Sequence, residues 1–422
     1  MWESIFNRMV TRLIRIGDLR ITYPDGNVRT FGDGTGEAVA LILKDQSTLR
    51  GLTLRPDLTM GEGYMNGRIL VEGDDLEGLV RLLLRNRREE AFPLWVRLMN
   101  RSRLYLGGWL MRNTPIRARE NVAHHYDLSD DLYRLFLDRD MQYSCAYFAD
   151  PRMSLDQAQA AKKARIAAKL RIEPGMHVLD IGCGWGGMAL TLARDHGARV
   201  TGVTLSQNQC ATAMARVREA GLQDRVSIRL IDYRQLPGQF DRIVSVGMLE
   251  HVGAGQFDEY FGKLADLLAP DGVSLIHTIG RTGVPMAQSE WINRYIFPGG
   301  YVPSLSELAG PIERSGLWNC DVEVWRLHYA MTLRHWLARF DAHLDEVRKR
   351  YDDRFIRMWR YYLTICALAF EEQAQAVIDF GLAAVATGQR EVDVSAGLLT
   401  LFAAGLNRVV TQLLCSRQDK HW

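Results

Sequence analysis

Residues Val178 to Gly187 read V-L-D-I-G-C-G-W-G-G, an apolar run that passes through an acid into a glycine-rich turn. Backbone without Cβ atoms lets a ligand lie directly against it. A helix that begins there offers the ligand unpaired N–H groups. The pattern predicts a strand over 178–181, a helix over 188–195 and a second strand over 199–203. That is the opening βαβ unit of a doubly wound nucleotide-binding domain. Two absences narrow the ligand. A dinucleotide site carries an acid about 20 residues past its glycines, where this chain has Gly202-Val203-Thr204-Leu205-Ser206. A phosphate loop would end in Gly-Lys-Ser/Thr, which is missing too. Asp180, at the tip of the first strand, is left as the acid partner of a nucleotide-like cofactor.

Two further titratable residues follow later strands. The fourth strand runs out through Val246-Gly247-Met248-Leu249-Glu250-His251, and the fifth through Ile276-His277-Thr278-Ile279-Gly280. Ligands of open α/β sheets bind beyond the carboxyl ends of the strands. Glu250 and His277 therefore form an acid–base pair above the cofactor loop. Either residue alone is more often solvated or packed; the pairing over a cofactor loop makes the case. The adjacent His124 and His125 point apart, so no metal site is expected from them.

The elements that must position these groups alternate helix and strand. Strands are predicted at 178–181, 200–203, 226–230, 241–246 and 273–278, with helices between them, which implies a parallel sheet covered on both faces. A helical insertion follows at 291–297, then Pro298-Gly299-Gly300-Tyr301, and helices dense in aromatic residues from Leu333 to about Phe380. Upstream, short β-like runs (19–22, 38–43 and 49–54) are separated by Pro24-Asp25-Gly26, Gly32 to Gly36 and Gly61 to Gly63, indicating a small α+β module. Residues 75–112 read mostly as helix. The fold class is α/β: a doubly wound, Rossmann-like domain (121–390) with helical insertions. It is preceded by a small α+β domain (1–112) and a linker (113–120), and followed by a C-terminal segment (391–422) with no assigned role.

A net charge of +2 over 422 residues predicts no partner by itself. Locally, Arg81, Arg85, Arg87, Arg88, Arg97, Arg101, Arg103, Arg112, Arg117 and Arg119 interleave with Phe92, Leu94, Trp95, Leu98, Leu104, Tyr105, Leu106 and Trp109. This composition suits an anionic membrane surface and equally suits a solvated helix packed on its own domain. Nucleic acid is not expected, because no binding motif accompanies the charge. The six cysteines show no paired or metal-type spacing. The amphipathic start lacks a signal-peptide core. The longest apolar stretch near the end, 394–406, falls short of the ~20 residues needed to span a bilayer. A cytoplasmic protein with peripheral contact to the inner membrane is the expectation.

From residue 121 onward the chain resembles the cyclopropane-fatty-acid synthase family of class I S-adenosylmethionine (SAM)-dependent methyltransferases. The resemblance rests on H-H-Y-D-L-S-D-D-L-Y (124–133), Y-S-C-A-Y-F (143–148), the glycine loop with T-L-S-Q-N-Q, D-Y-R (232–234) and F-D-R-I-V-S-V-G-M-L-E-H-V-G (240–253). It continues in H-T-I-G (277–280), I-F-P-G-G-Y (296–301) and M-W-R-Y-Y-L-T-I-C-A (358–367). D-Y-R is closer to the bacterial phospholipid-acting branch than to the mycolic-acid branch, where a Trp-Glu pair is usual.

The resemblance implies transfer of the SAM methyl to a cis double bond in a phospholipid acyl chain, then loss of a proton to close a cyclopropane. It implies a bicarbonate ion as base, held by Cys145, Glu250, His277, Tyr329 and the backbone of Ile279. Cys366 falls in a stretch whose cysteine is regarded as an active-site residue; a packing role is an equal reading. For SAM it implies Tyr143 and Ser144 at the methionine end and the loop Gly182, Gly184 and Gly186 above Asp180. Thr204, Leu205 and Gln209 would face ribose and adenine, with Asp232 and Tyr233 flanking the adenine. The small domain, with G-E-G-Y-M-N-G (61–67), resembles the lipid-handling domain of bacterial members, which are homodimers. The alternatives are a related lipid (methyl-branching) or amine methyltransferase, or a non-catalytic lipid-binding protein.

Overall fold

A computed structural model of the chain describes residues 1–87, 89–110, 129–372 and 375–384. The expected linker, the His124-His125 pair, Arg88, Arg112, Arg117, Arg119 and the 391–422 segment lie outside them.

Alternating burial builds the small N-terminal sheet. Strands β1 (Asp18–Thr22), β2 (Val28–Gly32), β3 (Ala38–Leu43) and β4 (Ile69–Val71) lie in the order β2-β1-β3-β4. The Pro24-Asp25-Gly26 turn closes the β1–β2 hairpin, with Asp25 accepting from the Asn27 N–H. Two expectations change here. The run 49–54 is not a strand but part of a helix, Gln46–Leu54, because Asp45 caps it by accepting from the Thr48 N–H. Its Leu49, Leu52 and Thr53 then share one buried helical face. Gly61 to Gly63 is not a turn but the middle of the helix Pro56–Met65, which opens on a proline at a position that needs no donor. These glycines serve close approach: a Cβ on Gly61 would sit 2.3 Å from the Trp291 ring, and one on Gly63 2.4 Å from Ile69. Among the described residues of the 75–112 region, two α-helices, Leu76–Arg85 and Leu94–Leu110, flank a short 3-10 turn, Glu89–Ala91.

The larger sheet has seven strands: β5 (His177–Ile181), β6 (Arg199–Thr204), β7 (Val226–Leu230), β8 (Phe240–Val246), β9 (Leu268–Arg281), β10 (Trp318–Trp325) and β11 (Gln375–Ala383). Their order is β10-β11-β9-β8-β5-β6-β7. The five expected strands are there and run parallel, with β5 between β6 and β8 at the point where the order reverses. Beyond β9 the sheet turns antiparallel: β11 inserts between β9 and β10. Residues 375–380 are therefore strand, not the end of an aromatic helical run. Nearly every position of β11 is buried, and a continuously buried run has no period to distinguish strand from helix.

The two sheets' units meet along a polar and packed seam. Asp57 accepts from Ser289 Oγ at 2.9 Å and from the Glu290 N–H at 2.6 Å, capping the helix Glu290–Tyr295 of the insertion. Arg334 bridges Glu77 of the small domain and Glu371, while Arg81 reaches Glu77, Glu371 and Glu372. Arg334 and Arg81 hold the Glu77 carboxyl down at about 2. Arg85 pairs with Glu372 and Arg103 with Glu290. These three arginines of the basic stretch thus serve the seam rather than an outside surface. Gly61→Ala is expected to push the Trp291 indole and lower stability by about 1–3 kcal/mol in chemical denaturation. The matched control, Gly262→Ala in the helix Phe257–Leu267, has open space for its Cβ and should be neutral or stabilising.

Candidate active site

The βαβ turn builds a cradle at the switch point. Gly182 has φ +77°, and a Cβ there would crowd Met248. Gly186, at φ +81°, is the N-cap of the helix Gly187–His196 and lies close to Ala213. Next along the chain, Ser206 caps the helix Gln207–Glu219 by accepting from the Gln209 N–H, which turns Gln209 toward Thr204 Oγ1 at 3.0 Å. A pocket of about 150 Å³ results, lined by Tyr143, Ser144, Asp180, Gly182, Gly184, Thr204, Leu205, Gln209, Asp232 and Tyr233. Of the residues expected at the cofactor, Gly186 alone does not line it; it serves helix packing instead. Asp232 is braced by the Arg234 guanidinium at 2.7 Å, and Tyr233 packs edge-on against Tyr260. Asp180 Oδ2 is buried and meets no hydrogen-bond partner, so the floor of the cradle offers an acceptor to a ligand that carries donors.

Beside it lies a far larger cavity of about 1430 Å³, above the 300–1,000 Å³ usual for small-ligand sites. It reaches from Phe6, Val10, Leu52 and Leu83 of the small domain to Cys145, Glu250, His277, Ile279, Tyr329 and Cys366. Tyr143, Ser144, Gly247 and His251 line both cavities, so the two abut there.

The wall is mainly apolar, with charged side chains such as Arg87, Arg281 and Glu290 also lining it. Glu250 lies in a short turn after β8 (Leu249–His251), and its Oε1 accepts from the Ile279 N–H at 2.6 Å. In this structure the Ile279 N–H, whose backbone the resemblance places among the anion's ligands, orients Glu250. His277 sits inside β9 rather than at its end, because the strand runs on to Arg281. Its Nδ1 lies 2.7 Å from Asp379 Oδ1 on β11. Glu250 Oε2 and His277 Nε2 are buried without a hydrogen-bond partner. An unpaired acid oxygen and an unpaired ring nitrogen in one apolar chamber fit a small, hydrogen-bonding oxyanion such as bicarbonate.

Residues 113–380 match the family model of mycolic acid cyclopropane synthetase, and residues 2–91 match a domain of unknown function. The chain is 42% identical to the cyclopropane-fatty-acyl-phospholipid synthase of Escherichia coli over 377 residues, 87% of this chain and 90% of that one. It is 37% identical to a probable fatty acid methyltransferase of Pseudomonas putida, across 84% of this chain and 89% of that one. Among solved structures, a mycolic acid cyclopropane synthase complexed with S-adenosylhomocysteine and CTAB superposes at a TM-score of 0.60. It is 35% identical and covers 63% of this chain and 98% of its own. The chain belongs to the cyclopropane synthase family.

As a SAM-dependent synthase it has cavity groups whose protonation follows from burial. Burial pushes the Glu250 carboxyl up to about 7 and the Asp180 carboxyl to about 7. It pushes the His251 imidazole down to about 4, leaving the ring neutral where the cavities meet. The Cys145 thiol is raised well above its usual value by burial and donates to the Ala146 carbonyl at 3.3 Å. Cys366 is pushed up to about 12, also by burial. Both are therefore neutral thiols in the wall rather than poised nucleophiles.

Two residues escaped the reading of the sequence. Lys162, fully buried in the helix Leu155–Lys169, donates to Gln142 Oε1 at 2.8 Å and to Ser144 Oγ at 2.7 Å, supporting two residues of the cofactor wall. Burial lowers its pKa to about 8. Asp379 is the other. No local motif marks either one, since each is defined by partners distant in sequence.

Asp180 gives a test with a definite sign. Folded and without ligand, its carboxyl keeps its proton up to about 7, whereas the ordinary value is 3.8. Folding takes up a proton between those values, so this group's contribution to stability falls as pH rises from about 4 to about 7. Asp180→Asn should therefore melt above the wild-type protein at pH 8 without ligand, the gap narrowing toward pH 4. SAM binding by calorimetry should weaken about tenfold or more. An unchanged melting temperature at pH 8 would show that the carboxylate is not buried unpaired.

Proposed function

We propose that the protein transfers a one-carbon unit from SAM to the cis double bond of a phospholipid acyl chain and closes a cyclopropane ring. The observation that carries this reading is the pair of unpartnered polar atoms, Glu250 Oε2 and His277 Nε2, set in an apolar chamber that opens onto the cofactor cradle. The Escherichia coli relative, named for this reaction, supports the phospholipid substrate.

SAM, when bound in the cradle, supplies an electrophilic methyl group. Its addition to one alkene carbon leaves positive charge on the other, and loss of a proton from the new methyl closes the ring. The chain's residues must then keep water away, steady the charge and take the proton. The apolar wall does the first. The faces of Tyr143 and Tyr362, whose hydroxyls lie 2.9 Å apart, and the ring of Tyr329 supply the second through their π electrons. Tyr143 is itself held by stacking on Trp336 at 5.0 Å.

Bicarbonate, when bound, supplies a base too weak as a nucleophile to trap the cation. Glu250, His277, Tyr329 and Cys145 would hold it. With its carboxyl near 7, Glu250 can receive a proton at Oε2 near neutral pH, while the Ile279 N–H fixes its other oxygen. Glu250→Gln is expected to lower turnover at least about 100-fold, with SAM affinity by calorimetry changed less than about twofold. A large loss of SAM binding would place Glu250 in the wrong role.

Relatives that include the tuberculostearic acid methyltransferase of Mycobacterium tuberculosis, 35% identical over 87% of this chain, favour a second reading: a methyl-branched product. Mass spectrometry of lipids from expressing cells separates the two. A gain of one CH₂ without retained unsaturation supports the ring; a methyl-branched olefin supports the rival.

The same reading requires access to membrane lipid. No described helix is long and apolar enough to cross a membrane. The helix Leu94–Leu110 instead has two apolar sides. Val96 and Met99 line the large cavity, while Leu94, Trp95 and Leu98 stand 62%, 44% and 55% exposed. We propose that this outer side rests on an anionic phospholipid surface. Replacing Leu94 and Trp95 by Asp should cut cosedimentation with anionic vesicles about tenfold; unchanged binding would remove this helix from the contact.

A further inference from the structure

Asp379 and His277 form a buried polar pair across two strands. They stand opposite each other in the β9–β11 register, 0% and 2% exposed. Asp379 Oδ1 is 2.7 Å from His277 Nδ1, and Asp379 Oδ2 is 3.3 Å from the Nζ of Lys169, itself buried. Lys169 also pairs with Asp321 at 2.9 Å and Glu323 at 2.6 Å on β10. The other titratable or charged groups close enough to sense Asp379 are Arg165, His328 and Cys145. Trp325 meets the His277 ring edge-on at 5.0 Å and limits its rotation.

An ionised carboxylate can only accept, so it makes Nδ1 the donor. The opposite corner of the ring, Nε2, is then a lone pair in the neutral form and an N–H in the imidazolium. That corner is the unpartnered atom lining the large cavity. A histidine serving only as core packing would satisfy both nitrogens inside the sheet. Here one nitrogen is fixed by Asp379, which Lys169 holds from its other oxygen, and the second nitrogen is left for something in the chamber.

We propose that Asp379, paired with Lys169, is a positioning residue of the synthase. It sets His277 with Nδ1–H inward and Nε2 toward the cavity, and it stabilises the imidazolium that donates to a small oxyanion there. The inference rests on reading the chamber as the ring-closing site, and its test separates the two.

Full-length protein labelled with ¹⁵N-histidine is titrated by NMR, with the His277 signals identified by their loss in His277→Gln. The wild-type protein should show Nδ1 protonated throughout and Nε2 as the titrating nitrogen, with added bicarbonate increasing the doubly protonated fraction. In Asp379→Asn the His277 midpoint should fall by about one unit or more, because an opposite charge has gone. Turnover should drop about 10- to 100-fold, as for carboxylates that orient a working histidine elsewhere, with the KM for SAM within about twofold. Asp379→Glu, which keeps the charge, should restore much of the midpoint. A neutral wild-type ring protonated at Nε2 overturns the proposal even if neither Asp379 variant folds, and so does an unmoved midpoint in Asp379→Asn. If the tautomer and midpoint behave as expected but bicarbonate leaves His277 unchanged, the identity of the anion fails and the positioning role stands.

Discussion

A large, mainly apolar chamber in which Glu250 and His277 each keep one buried polar atom unpaired is the constraint around which this molecule is arranged. A carbon cation survives only where no good nucleophile reaches it, yet its proton must have somewhere to go. Buried polar groups are ordinarily paired, because an unpaired one forfeits its hydration. In this chain Asp180, Glu250 and His277 each keep one atom unpaired toward the same pair of cavities. Their other atoms are not left to chance: the Ile279 N–H fixes Glu250, and Asp379 fixes His277.

Protonation follows from the same burial. The chamber raises carboxyls and thiols and lowers His251 and Lys162, so each group moves toward its neutral form. A neutral wall neither attracts water nor offers a thiolate to the cation. The exception is the deeper layer, where Lys169, Asp321, Glu323 and Asp379 compensate one another behind the wall.

A chamber of this size could not be closed by one domain. The small domain contributes apolar side chains to it and is fastened along its seam by Asp57 on one side and by the Glu77, Arg81 and Arg334 cluster on the other. The helices that carry the seam also carry the wall. Arg334 and Tyr329 share the helix His328–Ala342, and Glu371 and Cys366 share Asp353–Glu372. Movement of the small domain would therefore be felt at the aromatic lining.

The sequence by itself determined the cofactor side. The glycine spacing, the five parallel strands and Asp180 were legible because the pattern is local, strand, turn, helix and strand following one another in sequence, while Thr204, Gln209 and Asp232 were expected only through the resemblance to the family. Glu250 and His277 were legible as strand endings, although His277 proved to lie inside a longer strand. Only the tertiary structure decided the rest. The stretch 49–54 is helix capped by Asp45, and Gly61 and Gly63 lie within a helix because Trp291 and Ile69 pack where their Cβ atoms would be. The arginines of the basic stretch were divided between seam and surface by acids nearly 300 residues away. Residues 375–383 are buried almost without interruption and show no period, and their place between β9 and β10 follows from edge pairing that no local pattern encodes. That placement brings Asp379 to a histidine 102 residues earlier, a contact that exists only once the sheet has closed.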